Sequence, residues 1–174
     1  MKLLVRKLWF RHSVDKTARN LFRIPQLREL FNEGYTYDGE MRPRGLKIYS
    51  YYWPADDVLE RLPQSEKDVY LILTSRDLTG DNGWRINGKG FPMRAIASND
   101  AYTGGVNKDK FDHDNPSFLA MAFGEIGHSL GLQHHEHNPQ DPCEMSHNYY
   151  PNANCNFVED VRFCDSCYEK IQRR

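Results

Sequence analysis

Apolar positions along the chain change period several times, and each change predicts an element. The run VYLILT at residues 69–74 is apolar apart from its ends, as in a strand covered on both faces, and it predicts the centre of a sheet. Residues 2–10 predict a second strand. Leu21, Ile24, Leu27 and Leu30 recur at helical spacing, with Pro25 marking a helix start or kink and Gly34 a stop. Residues 34–45 read as turn-rich, LKIYSYYW after them as a strand, and Pro54 to Leu62 as a short helix. WRING at 84–88 and MRAIAS at 93–98 predict short strands separated by KGFP, and their spacing suggests a hairpin or an edge strand. From Pro116 the helical period returns through Phe118, Ala122, Ile126 and Leu130, with Asp114 or Asn115 as the cap. Residues 139–163 carry turn residues and cysteines with little period, and the residues after Cys164 predict a short final helix. Strands with interleaved helices give an α/β (α+β) domain spanning residues 1–174.

Composition narrows the function more than the fold. Aromatic residues are 13%, charged residues 27%, and the net charge is -1, so neither disorder nor a polyanion-binding surface is indicated, and nucleic acid is not an expected partner. No apolar run nears the roughly 18 residues of a membrane span. Arg6 and Lys7 interrupt the apolar opening before a leader core of about seven residues can form. The expectation is a soluble, cytoplasmic, monomeric protein whose partner is a peptide or protein. In a reducing compartment the four cysteines, Cys143, Cys155, Cys164 and Cys167, point to metal ligands or spare thiols before a disulfide framework.

The chemistry concentrates in GEIGHSLGLQH, residues 124–134. With histidine at 124 it would read H-E-x-x-H-x-x-G-x-x-H, the zinc signature of metzincin peptidases. Helix positions four apart share a face, so two histidines there grip one metal while the glutamate beside the first can take a proton from water. A lone histidine on a helix is ordinarily a packing residue. The ordered set Glu125, His128, Gly131, His134 and a following Met145 is what points to a metal site. Gly131 would end the helix in a left-handed turn, returning His134 toward His128.

EIGHSLGLQHH, followed by CEM at 143–145 and CDSC at 164–167, resembles the archaemetzincins, a metzincin family with HExxHxxGxxH, then C-x4-C-x-M and a later C-x-x-C. VYLILTSRDL and MRAIAS resemble that family's upstream segments, so the likeness spans roughly residues 68–168. It implies a zinc-dependent peptidase with a twisted, mainly parallel sheet and an antiparallel edge strand packed on the active-site helix. Residues 1–134 would hold the sheet and helix, and 135–174 the methionine turn and a zinc-binding knuckle. It further implies Glu125 as the catalytic base and His128 and His134 as ligands of the catalytic zinc. Met145 would lie beneath that metal. A structural zinc would be held by Cys143, Cys164 and Cys167 with His135, which stands where the family places its first structural cysteine; His137 and Cys155 are alternative fourth ligands.

Gly124 breaks the pattern by removing the first zinc histidine, and the loop to Cys143 is longer than the family's. Catalytic zinc ordinarily takes three protein ligands and an open position. Either another side chain fills the gap, with His113, His137 and His147 as candidates, or the chain is a silent relative that keeps the structural zinc and binds peptides or a partner protein. A third possibility is an interaction module organised by the cysteine site alone. Tyr149 or Tyr150 is a candidate to assist an oxyanion, although aromatic turn residues ordinarily serve packing.

Overall fold

Residues 69–74 lie at the middle of the sheet, and all six are buried. The computed structural model describes residues 1–42, 52–81, 83–99, 115–136, 138, 140–146 and 157–173. The strands are β1 (Leu3–Leu8), β2 (Tyr35–Glu40), β3 (Tyr52–Pro54), β4 (Val69–Thr74), β5 (Asp77–Thr79), β6 (Arg85–Ile86), β7 (Gly88–Phe91) and β8 (Arg94–Ser98). The helices are α1 (Val14–Leu21), α2 (Pro25–Leu30), α3 (Ala55–Leu59), α4 (Pro116–Ser129) and α5 (Asp165–Gln172), with a 3-10 turn at Val158–Asp160.

The main sheet runs β2-β1-β4-β8-β7. The β1–β2, β1–β4 and β4–β8 pairs are parallel, and only β7 runs antiparallel, beside β8. This is the mainly parallel α/β sheet with an antiparallel edge that the motifs predict. Period-two alternation explains why β4 reads as continuously apolar. Leu71 and Leu73 face the layer containing α1 and α4, whereas Tyr70 and Ile72 face Trp53, Val58, Leu59 and Leu78 on the other side. A separate small sheet, β3-β5-β6, belongs to that second side.

Three local expectations change. MRAIAS is not an edge strand: β8 lies between β4 and β7. The edge is formed by GKGF, which the sequence presents as a connection because glycines carry no strand propensity. The segment read as turn-rich contains β2, a second edge with mostly exposed or half-exposed residues, so it lacks an apolar run. WRING contributes only the two residues of β6 before β7 begins. Most of LKIYSYYW lies outside the described residues.

Helix α4 is set by its ends. The Asn115 side chain accepts the Ser117 amide at 2.9 Å, with Pro116 in the first turn, where its missing N–H costs nothing. At the other end Gly131 has φ of 80°. Gly131 and Leu132 donate their amides to His128 and Gly127 carbonyls at 2.9 and 3.0 Å, the paired bonds of a Schellman stop. The chain therefore doubles back directly after α4. Met93, in the β7–β8 turn, donates its amide to the Ser129 carbonyl at 2.9 Å, fastening the hairpin to the end of the helix.

Candidate metal centres

The contact between β7 and α4 shapes a cleft. A Cβ on Gly90 would lie 2.6 Å from the Glu125 carbonyl and 2.8 Å from the Ser129 amide nitrogen; one on Gly88 would lie 2.8 Å from Glu125 Oε1. Glycine at these alternate positions lets the edge strand lie on the helix backbone, a closeness no side chain permits. Gly88, Lys89 and Gly90 with Glu125, His128 and His134 line an open cleft of about 370 Å³.

One turn of α4 separates position 124 from His128, and the Schellman stop returns His134 to the same place. His128 Nδ1 lies 3.0 Å from the Leu132 carbonyl and His134 Nδ1 lies 3.2 Å from the Met145 carbonyl. A carbonyl only accepts, so each Nδ1 carries the proton and each Nε2 carries a lone pair. The two Nε2 atoms are 3.1 Å apart. Two ligands about 2.0–2.1 Å from one zinc in tetrahedral geometry lie roughly 3.3 Å apart, so the donor set fits a metal. Burial lowers the His128 pKa, and His134 lowers it further against the opposing Leu132 carbonyl. This keeps the ring in the neutral form a metal needs.

Glu125 lies beside the histidines against Gly88. Burial pushes its carboxyl up to about 8, with Lys89 acting in the opposite sense. Lys89 itself is held by Asp56 at 2.5 Å and Asp81 at 3.0 Å. A Cβ built on Gly127 would meet Phe163 Cζ at 2.8 Å and Met145 Sδ at 2.9 Å, so the methionine packs under the same helix face. Phe163 stacks on Phe123 at 4.0 Å between ring centroids.

A second centre lies beyond the next peptide bond. The ligand atoms of His135, Cys143, Cys164 and Cys167 all fall within 4.8 Å of one another. His135 Nδ1 donates to the Glu136 carbonyl at 2.8 Å, leaving Nε2 to face Cys164 Sγ at 3.6 Å. Sulfur and nitrogen ligands of one tetrahedral zinc lie roughly 3.5 Å apart, so this set also fits. The Cys143 thiol is pushed up strongly by burial, and Cys167 is raised by burial and by Cys164. Burial also opposes ionisation of Cys164, but hydrogen bonds from Ser166, the Cys167 amide and the neighbouring thiols bring it down to about 7. The backbone locks the loop: His135 donates its amide to Met145 at 3.0 Å, and Glu144 donates to Arg162 at 3.0 Å.

The sequence-predicted residues thus fall into two groups, Glu125 with His128 and His134, and His135 with the three cysteines. His113, His137, His147, Tyr149, Tyr150 and Cys155 lie outside the described residues. Glu144 was not anticipated. A Cβ on Gly124 would lie 3.2 Å from Glu144 Cγ and 3.7 Å from its Oε1, so this side chain stands in the volume of the missing histidine. Burial pushes its carboxyl up to about 8, and Glu125 pushes in the same direction. No spacing rule pairs positions 124 and 144, so no sequence signal marked it.

The whole fold has solved counterparts. An archaemetzincin from Archaeoglobus fulgidus, complexed with malonate, superposes with a TM-score of 0.70 at 22% identity, covering 98% of this chain and 99% of that one. The archaemetzincin from Methanopyrus kandleri gives 0.68 at 20% identity, covering 99% and 94%. A zinc-dependent peptidase from Methanocorpusculum labreanum gives 0.61 at 18% identity, covering 97% and 99%. No protein-family model and no curated protein matches the sequence. The likeness is one of fold: the chain has the fold of the archaemetzincin structures.

Proposed function

We propose that the chain is a zinc-dependent metallopeptidase-like protein that hydrolyses peptide bonds in the cleft between β7 and α4. The observation that carries this reading is the facing pair His128 and His134, with Nε2 atoms 3.1 Å apart beside Glu125. Zinc held there would supply Lewis-acid polarisation of a carbonyl and lower the pKa of water. Glu125 is the general base and afterwards returns the proton to the leaving amine. Leu132 and Met145 carbonyls hold the imidazole tautomers, a second layer that orients ligands. Met145, packed beneath Gly127, supports the reading of residues 143–146 as a methionine turn.

His135, Cys143, Cys164 and Cys167 would hold a separate structural zinc, a four-ligand set of the closed kind that leaves no position for substrate. The extended substrate adds to the outer edge of β7. Asn87 accepts from the Ser98 amide at 2.8 Å, and bonding alternates along an antiparallel pair. The outward-facing peptide groups are therefore those of Gly88 and Gly90.

Gly124 favours a second reading, a silent relative that keeps the cysteine zinc and uses the same cleft to bind peptide. One comparison decides between them. An active protein hydrolyses unstructured peptides, stops on chelation, and loses turnover by about a hundredfold or more in Glu125→Gln with metal content unchanged. Peptide binding without hydrolysis, equal in both proteins, establishes the silent form.

A further inference from the structure

The gap at Gly124 is answered from outside the helix. Glu144 projects its Cγ to 3.2 Å and its Oε1 to 3.7 Å from where a Cβ on residue 124 would sit. Residue 124 is one turn before His128, so the two positions share one face of the helix. Glu144 lies against that face at position 124. The backbone around it is fixed on both sides. Its own amide bonds Arg162 at 3.0 Å, Cys143 belongs to the cysteine centre, and the Met145 carbonyl receives the His134 ring. The Glu144 side chain is the part that reaches the helix, against Gly124. Among the described residues its carboxylate forms no hydrogen bond or ion pair. In this arrangement it does not join the two imidazoles in a cluster as tight as the cysteine one, so closing the set takes a rotation about its side-chain bonds.

We infer that Glu144 supplies the third protein ligand of the helix centre, its carboxylate replacing the histidine absent at 124. Together with His128 and His134 it makes a two-histidine, one-glutamate set. This composition is used by catalytic zinc sites and leaves a position open. The inference rests on the reading that the helix centre binds a metal. Glycine at 124, which costs a helix interior roughly 1 kcal/mol against alanine, leaves the most room for that carboxylate, since even a Cβ there would lie 3.2 Å from Glu144 Cγ. The two positions form one exchange, in which a ligand is withdrawn from the helix and delivered from the loop.

The test is metal affinity and spectroscopy, with zinc and cobalt(II) as probes on the full chain. Wild type should bind two zincs, and the tighter, cysteine-bound one serves as an internal check of folding. Glu144→Gln should leave that zinc in place and weaken the second by about a hundredfold, the share of one ligand in four. It should also change the visible spectrum of cobalt at the second site. Glu144→Asp, which keeps the charge but shortens the reach, should fall between. Gly124→His combined with Glu144→Ala should restore affinity, because both routes serve the same ligand position; Gly124→His alone should gain less, since the new ring meets Glu144. If Glu144→Gln, Glu144→Asp and the double variant all bind the second zinc as wild type does while His134→Ala abolishes it, Glu144 is no ligand although the centre is real. If wild type binds only the cysteine zinc, and the cobalt spectrum is unchanged by both His134→Ala and Glu144→Gln, the metal reading of the helix centre falls, and this inference falls with it.

Discussion

His134 and His135 are consecutive, yet they serve centres of opposite character. His135 joins three buried cysteines in a compact four-ligand cluster. His134 is exposed and meets His128 in an open cleft. The first group brings His135 and Cys143 against Cys164 and Cys167 of the C-terminal segment, and its cysteines share the core cluster with Phe163 and Val161. The second opens to the cleft through the exposed His134, although Glu125 beside it is buried. Under the proposed function the difference separates stability from chemistry: a structural zinc site is closed, whereas a catalytic one keeps an open position and can change a ligand without losing the fold.

That contrast predicts unequal damage. Cys164→Ser should release one zinc per chain and lower stability by about 3 kcal/mol, from the share of one ligand in structural zinc binding. His134→Ala should change stability by less than about 1 kcal/mol, as exposed substitutions do. Elemental analysis and thermal unfolding on both variants measure this. Equal destabilisation would erase the division of labour. Cys164→Ser should also weaken metal binding at the helix centre, because Cys143, Glu144 and Met145 are successive residues. Unchanged affinity there would show that the two centres are independent.

The next largest effect lies at the strand–helix contact. Gly90→Ala places a Cβ against backbone atoms of Glu125 and Ser129, and backbone cannot turn aside as a side-chain tip can. The expected cost is about 3 kcal/mol, the upper end for overpacking, read by denaturant unfolding. Gly124→Ala meets only the Glu144 side chain, so its cost should be smaller, or reversed by the gain in helix propensity. A larger loss at 124 than at 90 would mean that Glu144 is held more firmly than its lack of partners indicates.

Long-range and local signals were unequally legible in the sequence. Strand β4 and helix α4 with its Asn115 cap and Gly131 stop could be read because each is written in contiguous or regularly spaced residues, whereas the cysteine group was proposed from the family resemblance. Strand β7 was not, since its glycines are selected by what approaches them and not by strand propensity. Strand β2 was hidden by exposure, which removes the apolar alternation. Glu144 was invisible because its meaning depends on Gly124, twenty positions away. The residues most informative about the helix centre are thus ones whose role is set by a neighbour in space.

The two centres should also differ in their response to pH. In the chelated protein, burial holds the Glu125 carboxyl at about 8 against an ordinary value of 4.5. The unfolded chain therefore releases this proton from about pH 4.5 while the folded chain keeps it. The resulting stabilisation is fully present below pH 4.5 and is lost as pH rises through 8. Glu144 acts in the same direction. Stability of the chelated protein should fall across that window, and Glu125→Gln should make the decline shallower. An identical slope in the variant would mean that Glu125 is already ionised, and that Lys89 outweighs its burial.

The smallest effect concerns the cleft edge. Lys89 and Phe91 sit opposite Ile96 and Arg94 in the antiparallel pair, and the alternation fixed by the Asn87–Ser98 bond turns the amides of Gly88 and Gly90 outward. A peptide that adds as a strand should slow hydrogen exchange at these two amides and leave those of Ala95 and Ala97, inside the sheet, unchanged. The change reads out as a few-fold protection at saturating peptide, since strand addition contributes only a few backbone bonds. It applies to an active or a silent cleft alike, so it tests the surface without presuming hydrolysis. Protection confined to residues 157–160, far from β7 in sequence, would move the peptide site off the sheet edge. It would then leave Gly88 and Gly90 with one role, the close packing of β7 on α4.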